Sequence, residues 1–130
     1  MDKTMRKILF VIIYCLSLRA NEMCYQLDGS YIVAQDERNT FLGKIENSFS
    51  QDSIFNEFGN FGSEYGSLSI FNEFGGFGSE FGTYSATNSF TSTPPMIIKN
   101  GKILGFITTN KAINGGISPS LLKVLCKDFF

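Results

Sequence analysis

The chain has 130 residues, a formal net charge of −1, 18% charged residues, and no His or Trp. This length accommodates a single small domain. The absence of His excludes imidazole-based metal sites, acid–base pairs and Ser-His-Asp triads, so we predict no catalytic residue.

Residues 1–20 have the pattern of a secretory signal peptide. A basic stretch precedes an apolar run at residues 8–18, the order of the n-region and h-region of an export signal. The run is shorter than the roughly 20 residues of a membrane-spanning helix. We therefore expect cleavage after Ala20, no stable membrane span afterwards, and a periplasmic or extracellular protein. A cut after Ser17, an uncleaved anchor and a buried N-terminal element are the alternatives.

Cleavage would remove Cys15 and leave Cys24 and Cys126 in the mature chain. Two cysteines in an oxidising compartment favour one disulfide. The alternative is that both are small buried hydrophobic side chains that do not meet. The sequence leaves both interpretations open.

Two predicted β-hairpins flank the middle of the chain. In the first, the strands at residues 31–34 and 40–45 are separated by a polar loop; in the second, those at 96–99 and 102–108 are separated by Asn100-Gly101, a strong hairpin-turn pattern. Both returning strands contain Leu-Gly-x-Ile, in which the glycine indicates a bulge or a close backbone approach. These glycines are Gly43 and Gly105.

A sixteen-residue repeat lies between the hairpins. Residues 53–68 read SIFNEFGNFGSEYGSL, residues 69–84 read SIFNEFGGFGSEFGTY, and a partial copy covers 85–95. Twelve of the sixteen positions are identical between the first two copies, which indicates a structural unit. The glycine density excludes a long helix or a long flat strand and predicts turns. The repeat positions that we single out are Asn56, Phe58 and Gly59, with their copies Asn72, Phe74 and Gly75.

Each residue type in the repeat has a predicted role. The glycines are expected to permit positive φ and tight turns, and the Ser and Asn side chains to bond the backbone at the turns. The phenylalanines are expected to form the core, because each buries a large apolar area. The alternatives are an exposed face for sugar stacking or peptide binding, and self-association. The rings concerned are Phe55, Phe58, Phe61, Phe71, Phe74 and Phe77.

A short helix is predicted after Gly115-Gly116, with Ser118 as its N-cap and Pro119 at its first position. Its apolar residues are expected to face the core: Leu121, Leu122, Val124 and Leu125. The predicted fold class is therefore mainly β. Residues 21–130 form one small domain in which two hairpins make a small sheet, the repeats pack on it in turns, and a short C-terminal helix follows.

The order of these segments resembles a widespread set of short, uncharacterised exported bacterial proteins. In that set, copies of a motif similar to Asn-Pro-Tyr-Gly-x-Tyr-Gly-Ser lie between a Leu-Gly strand and a Pro-Pro hairpin, and here the similarity covers residues 40–110. This chain has Glu57 and Glu73 where the set has Pro, and Phe where it has Tyr. The resemblance implies export and a repeat fold, and it implies no activity.

The charge pattern bears on partners and cofactors. No basic residue lies between Lys44 and Lys99, which argues against a nucleic-acid surface, since such a surface needs Lys or Arg. Glu57 and Glu73 recur in register and are the candidate calcium ligands, although calcium needs six to eight oxygens. We expect solvated glutamates and no cofactor, with calcium as the alternative.

The predicted function is an exported, noncatalytic structural or interaction module whose partner is unknown. A calcium-stabilised surface protein is the second hypothesis. A small enzyme of unknown type is the third.

Overall fold

A computed structural model describes residues 19–130. The signal-peptide prediction for residues 1–20 lies almost wholly outside this range. Residues 19–27 form a first helix, α1. The elements that follow are β1 (Tyr31–Val33), β2 (Phe41–Lys44), β3 (Met96–Lys99), β4 (Lys102–Ile107), β5 (Gly116–Ile117) and α2 (Pro119–Cys126).

The strands form one sheet in the order β2-β1-β3-β4-β5. All neighbours are antiparallel except β4 and β5, which are parallel. The two predicted hairpins are β1–β2 and β3–β4, and they join through β1 and β3. The mainly β architecture with a short C-terminal helix is thus confirmed.

The hairpins contain the predicted backbone features. Asn100 and Gly101 both have positive φ, +53° and +73°, as the tight turn between β3 and β4 requires. The pairing register shifts within both hairpins. At Gly43, φ is +107°, and a Cβ would lie 2.7 Å from Cβ of Phe61. At Gly105, a Cβ would lie 2.6 Å from the carbonyl oxygen of Gly115. Both glycines therefore allow close approaches of the kind expected.

Residues 47–91 form a continuous series of short turns, which we call the turn ladder. Up to Ser85, each turn is closed by a backbone hydrogen bond to a residue three or four positions earlier. The bonds run without a break from Asn47 to Ser85, and the last one joins Asn88 to Thr91. Ser, Asn, Gly and Thr occupy the residues where successive turns meet. Such residues tolerate tight turns and bond the local backbone.

The turn ladder packs on the sheet through one repeated column of residues. Ile54, Ile70 and Ala86 stand sixteen residues apart and are all fully buried. At one end, Ile54 N–H donates to the carbonyl of Lys44 in β2 at 2.9 Å. At the other, Thr109 N–H donates to the carbonyl of Ala86 at 2.9 Å. The ladder is therefore held to the sheet at both ends.

Helix α2 begins as predicted but faces the core differently. Ser118 Oγ accepts a hydrogen bond from Leu121 N–H at 3.2 Å, and Pro119 is the first helical residue. Leu122 is buried, whereas Leu121 and Val124 are 49% and 80% exposed. The prediction that all four apolar residues face the core is wrong. A helix with 3.6 residues per turn presents only one stripe to the sheet.

A disulfide joins the two helices. Cys24 in α1 and Cys126 in α2 form a disulfide with a Cα–Cα distance of 5.5 Å, so the structure contains the bridge rather than two separate thiols. Both half-cystines are fully buried. Residues 21–27 were not predicted to be helical, and β5 was not predicted.

Candidate functional site

The most unusual surface feature of the described residues is a set of exposed aromatic rings on the turn ladder, which we call the aromatic row. Each ring is 87% to 99% exposed. The rings recur alternately nine and seven residues apart, which places one on nearly every half-repeat. The aromatic row consists of Phe49, Phe58, Tyr65, Phe74, Phe81 and Phe90.

The aromatic row corrects the prediction that the repeat phenylalanines form the core. Phe58 and Phe74 are 99% and 87% exposed, and the core interpretation of these two rings is wrong. Phe55 and Phe61 are buried, and their copies Phe71 and Phe77 are partly buried against the core. Successive rings along the ladder therefore alternate between exposed positions and positions packed on the core.

Every ring of the aromatic row is held by the same local hydrogen bond. The ring residue's N–H donates to the side-chain oxygen of an Asn or Ser two positions earlier. Phe58, for example, donates to Asn56 Oδ1 at 3.0 Å, and Phe81 donates to Ser79 Oγ at 3.2 Å. Such a bond closes a turn without help from the core. The backbone at each ring is therefore held within its own turn.

The repeat asparagines also brace one turn against another. The Nδ2 group of Asn56 donates to the carbonyl of Ser50 at 3.1 Å. Asn72 bonds Gly66 in the same way at 2.9 Å. Asn88 Nδ2 makes the equivalent bond to Gly82, also at 2.9 Å. Asn56 and Asn72 thus support the ladder with both ends of their amides.

The repeat glycines provide room rather than unusual dihedral angles. The glycines with positive φ are Gly29, Gly43, Gly101 and Gly115, which all lie outside the ladder, so the expectation of positive φ in the repeats is wrong. Within the ladder, a Cβ on Gly62 would lie 2.2 Å from the carbonyl oxygen of Asn56. Turns this close together leave no space for a side chain.

Gly59 and Gly75 are also crowded by neighbouring atoms, but less than Gly62. A Cβ on either would lie 3.1 to 3.3 Å from the side chain of the Asn three residues earlier. These glycines give the asparagine amides the room to bond the preceding turn.

A glutamate directly precedes each of the four middle rings of the aromatic row. Successive rings line successive small clefts: Phe49 and Phe58 line the first, Phe58 and Tyr65 the second, and Tyr65 and Phe74 the third. The cleft volumes are about 360, 250 and 280 Å³ in that order. These clefts also contain carboxylates: Glu57 in the first two, Glu64 in the last two and Glu73 in the third.

The first glutamate of this series is engaged by helix α2. Lys127 Nζ donates a hydrogen bond to Glu57 Oε1 at 2.7 Å, and Lys123 Nζ lies 3.8 Å from the same oxygen. This hydrogen bond and the two positive charges lower the pKa of Glu57, and the same bond raises the pKa of Lys127. Lys123 Nζ also lies 4.7 Å from the centroid of the Phe71 ring, a cation–π distance.

The proposed calcium ligands lie in this surface. Glu57 is paired with lysines, and Glu73 is exposed in the third cleft. Within residues 19–130, no three His, Cys, Asp or Glu side chains are grouped so that they could hold a metal ion.

The largest cavity described, about 750 Å³, lies elsewhere, between α1 and the β3–β4–β5 side of the sheet. Its lining is mostly apolar side chains and glycines, with a few polar residues that include two lysines. One of these, Lys99, donates from Nζ to the carbonyl of Gln26 at 3.0 Å. This cavity contains no cluster of reactive side chains.

Sequence reasoning placed Phe58 and Phe74 in the repeat but did not identify the aromatic row. Phe49, Tyr65, Phe81 and Phe90 are not among the repeat positions singled out from the sequence. The distinguishing pattern is Glu-aromatic-Gly: at residues 57–59, 64–66, 73–75 and 80–82 it marks an exposed ring in every case. A charged residue beside the ring indicates a solvent-facing turn.

No protein-family model, no curated protein and no solved structure matches this chain. In the described part of the chain, none of the helices has both the length and the apolar character needed to cross a bilayer.

Proposed function

We propose that this protein is an exported, noncatalytic interaction module that holds an extended ligand along its aromatic row. One observation carries the proposal: six rings, each at least 87% exposed, project from turns of the same design. Large exposed apolar patches are uncommon on soluble monomers and mark interaction sites.

The construction of the surface supports a binding role. The ring residues are fixed by side-chain hydrogen bonds in the turns, so a ligand meets a preorganised backbone and orders only the ring torsions. Neither the core nor the sheet needs these rings, because the buried column Ile54, Ile70 and Ala86 supplies the packing. The rings are therefore available for a partner.

Two further observations support export. The N-terminal pattern is that of a signal peptide. The Cys24–Cys126 disulfide is a bond that persists in oxidising compartments.

The test compares ring variants on a panel of immobilised extended polymers: a neutral polysaccharide, an acidic polysaccharide, a neutral polypeptide and a basic polypeptide. The ladder variant is F58A/Y65A/F74A. The matched control, Y25A/I103A/V124A, removes three exposed apolar side chains outside the aromatic row. We expect a polymer that retains the wild type to bind the ladder variant roughly 10- to 150-fold more weakly, from three aromatic contacts of about 0.5–1 kcal/mol each.

The control should bind as the wild type does. Equal binding of wild type and ladder variant to every retained polymer, or retention by none of them, would contradict the proposal. A wild-type dimer that the ladder variant abolishes would instead identify the aromatic row as a self-association surface.

A further inference from the structure

We propose that the partner of the aromatic row is an extended, lysine- or arginine-rich segment of another protein. This inference rests on the proposed function and specifies the chemistry of the ligand.

The surface around the aromatic row is complementary in charge to a basic ligand. The four middle rings alternate with Glu57, Glu64, Glu73 and Glu80, and the chain has no basic residue between Lys44 and Lys99. All four glutamates are exposed. Carboxylates spaced along one surface repel each other weakly, and a ligand with several positive charges removes that repulsion.

The surface already binds ammonium groups of its own chain. Glu57 holds Lys127 Nζ at 2.7 Å and Lys123 Nζ at 3.8 Å. Lys123 also stands over the face of Phe71. One carboxylate of this surface is thus in contact with lysines from α2, and so is Phe71, a ring that lines the third cleft but is not part of the aromatic row.

The remaining glutamates offer the same chemistry without an internal partner. Within the described part of the chain, the ion pairs involve Glu46 and Glu57, whereas Glu64, Glu73 and Glu80 make none. The row of glutamates therefore continues along the ladder beyond Glu57, the glutamate that pairs with α2.

The geometry favours a polypeptide over a sugar chain. Each cleft, at about 250–360 Å³, has room for a long side chain such as Lys or Arg, and the clefts follow one another along the ladder. Lysine and arginine have apolar stems that can lie against the rings and charged heads that reach the carboxylates. An extended peptide directs such side chains to one face at every second residue. A neutral sugar would leave the carboxylates without charged partners.

The experiment measures binding of a labelled oligolysine peptide to the full chain, with oligoglutamate and oligoserine peptides of the same length as comparisons. We expect oligolysine alone to bind, more weakly as salt rises above about 0.15 M. The variant E64Q/E73Q/E80Q should bind roughly tenfold more weakly, since each exposed charge contact contributes little by itself.

The matched control is E22Q/D28N/E37Q, which changes the net charge by the same amount at exposed positions outside the ladder. It should bind oligolysine nearly as the wild type does. An equal loss in both variants would show a general charge effect and overturn the inference. Wild-type binding by F58A/Y65A/F74A would overturn it as well, because the rings would then play no part.

A second variant tests the first cleft, in which Glu57 is already paired with Lys127 of the same chain. K123Q/K127Q should bind oligolysine more tightly than K102Q/K111Q, which removes two exposed lysines outside the ladder, because only the former frees Glu57. Equal affinity of the two variants would contradict the inference. If oligolysine fails to bind while a neutral polymer binds in a ring-dependent manner, the inference is wrong and the proposed function still stands.

Discussion

A Cβ atom on Gly78 would lie 2.3 Å from the carbonyl oxygen of Asn72. This approach is between two backbone segments of adjacent turns, so no flexible side chain can move aside. Gly78→Ala should therefore lower the free energy of unfolding by about 1–3 kcal/mol, as overpacking does. Denaturant titration of the purified wild type and variant measures this change in the free energy of unfolding.

Gly76 is the matched control for this glycine substitution. It has open space around its Cβ direction, and the equivalent residue of the first repeat is Asn60. Gly76→Ala should be neutral or stabilise by about 0.4–1 kcal/mol through the unfolded state. Equal losses at the two sites would show that the turns are not closely packed.

Buried and exposed rings of one repeat should differ sharply in their effect on stability. Phe55 is 1% exposed, whereas Phe58, three residues later, is 99% exposed. Phe55→Ala should cost about 3–5 kcal/mol, and Phe58→Ala should change stability by no more than about 0.5 kcal/mol. Thermal and denaturant unfolding of both variants checks this. A large loss in Phe58→Ala would restore the core interpretation of that ring.

The Glu57–Lys127 pair predicts a titration shift. The folded-state pKa of Glu57 is depressed below the usual 4.5, first by the hydrogen bond from Lys127 and then by its charge and that of Lys123. The stabilisation is therefore present above the unfolded pKa and is lost as the pH falls through the lower folded value. NMR titration of the Glu57 carboxyl should show the depressed pKa, and Lys127→Gln should move it upward. An unchanged pKa in that variant would contradict the pairing.

Loss of the disulfide should destabilise the whole domain. Cys24 and Cys126 are separated by 102 positions, and closing a loop of this length is worth about 4–5 kcal/mol in the chain-entropy model. The variant C24S/C126S should unfold at a much lower denaturant concentration than the wild type. An unchanged midpoint would mean that the bridge does not form in the protein.

Calcium should have almost no effect on stability. Glu57 is already paired with two lysines. A calcium site also needs more oxygen ligands than these turns bring together. Millimolar calcium should leave the melting temperature unchanged in the wild type and in E57Q/E73Q. A rise in the wild type that E57Q/E73Q abolishes would support the calcium-stabilised alternative through binding to the folded state.

The features that the sequence predicted are those specified by neighbouring residues. Asn100-Gly101 turns a hairpin because of its own dihedral preferences, and Ser118 caps α2 through a bond to a residue three positions on. The direction in which each ring points is not specified in this way. Phe55 and Phe58 donate the same bond to a side chain two positions earlier, so this local bond does not decide which of the two rings faces the sheet. Strand β5 likewise forms through pairing with β4 over only two residues.

The attachment of the turn ladder to the sheet at both ends restricts how the chain can change its length during evolution. Lys44 on one edge strand and Thr109 beyond β4 hold Ile54 and Ala86, which are two full repeats apart. A duplication or deletion of one sixteen-residue unit would preserve every local turn and yet leave one anchor without its partner. Such a change would need a compensating change in the width of the sheet, so the number of repeats and the number of strands are expected to evolve together.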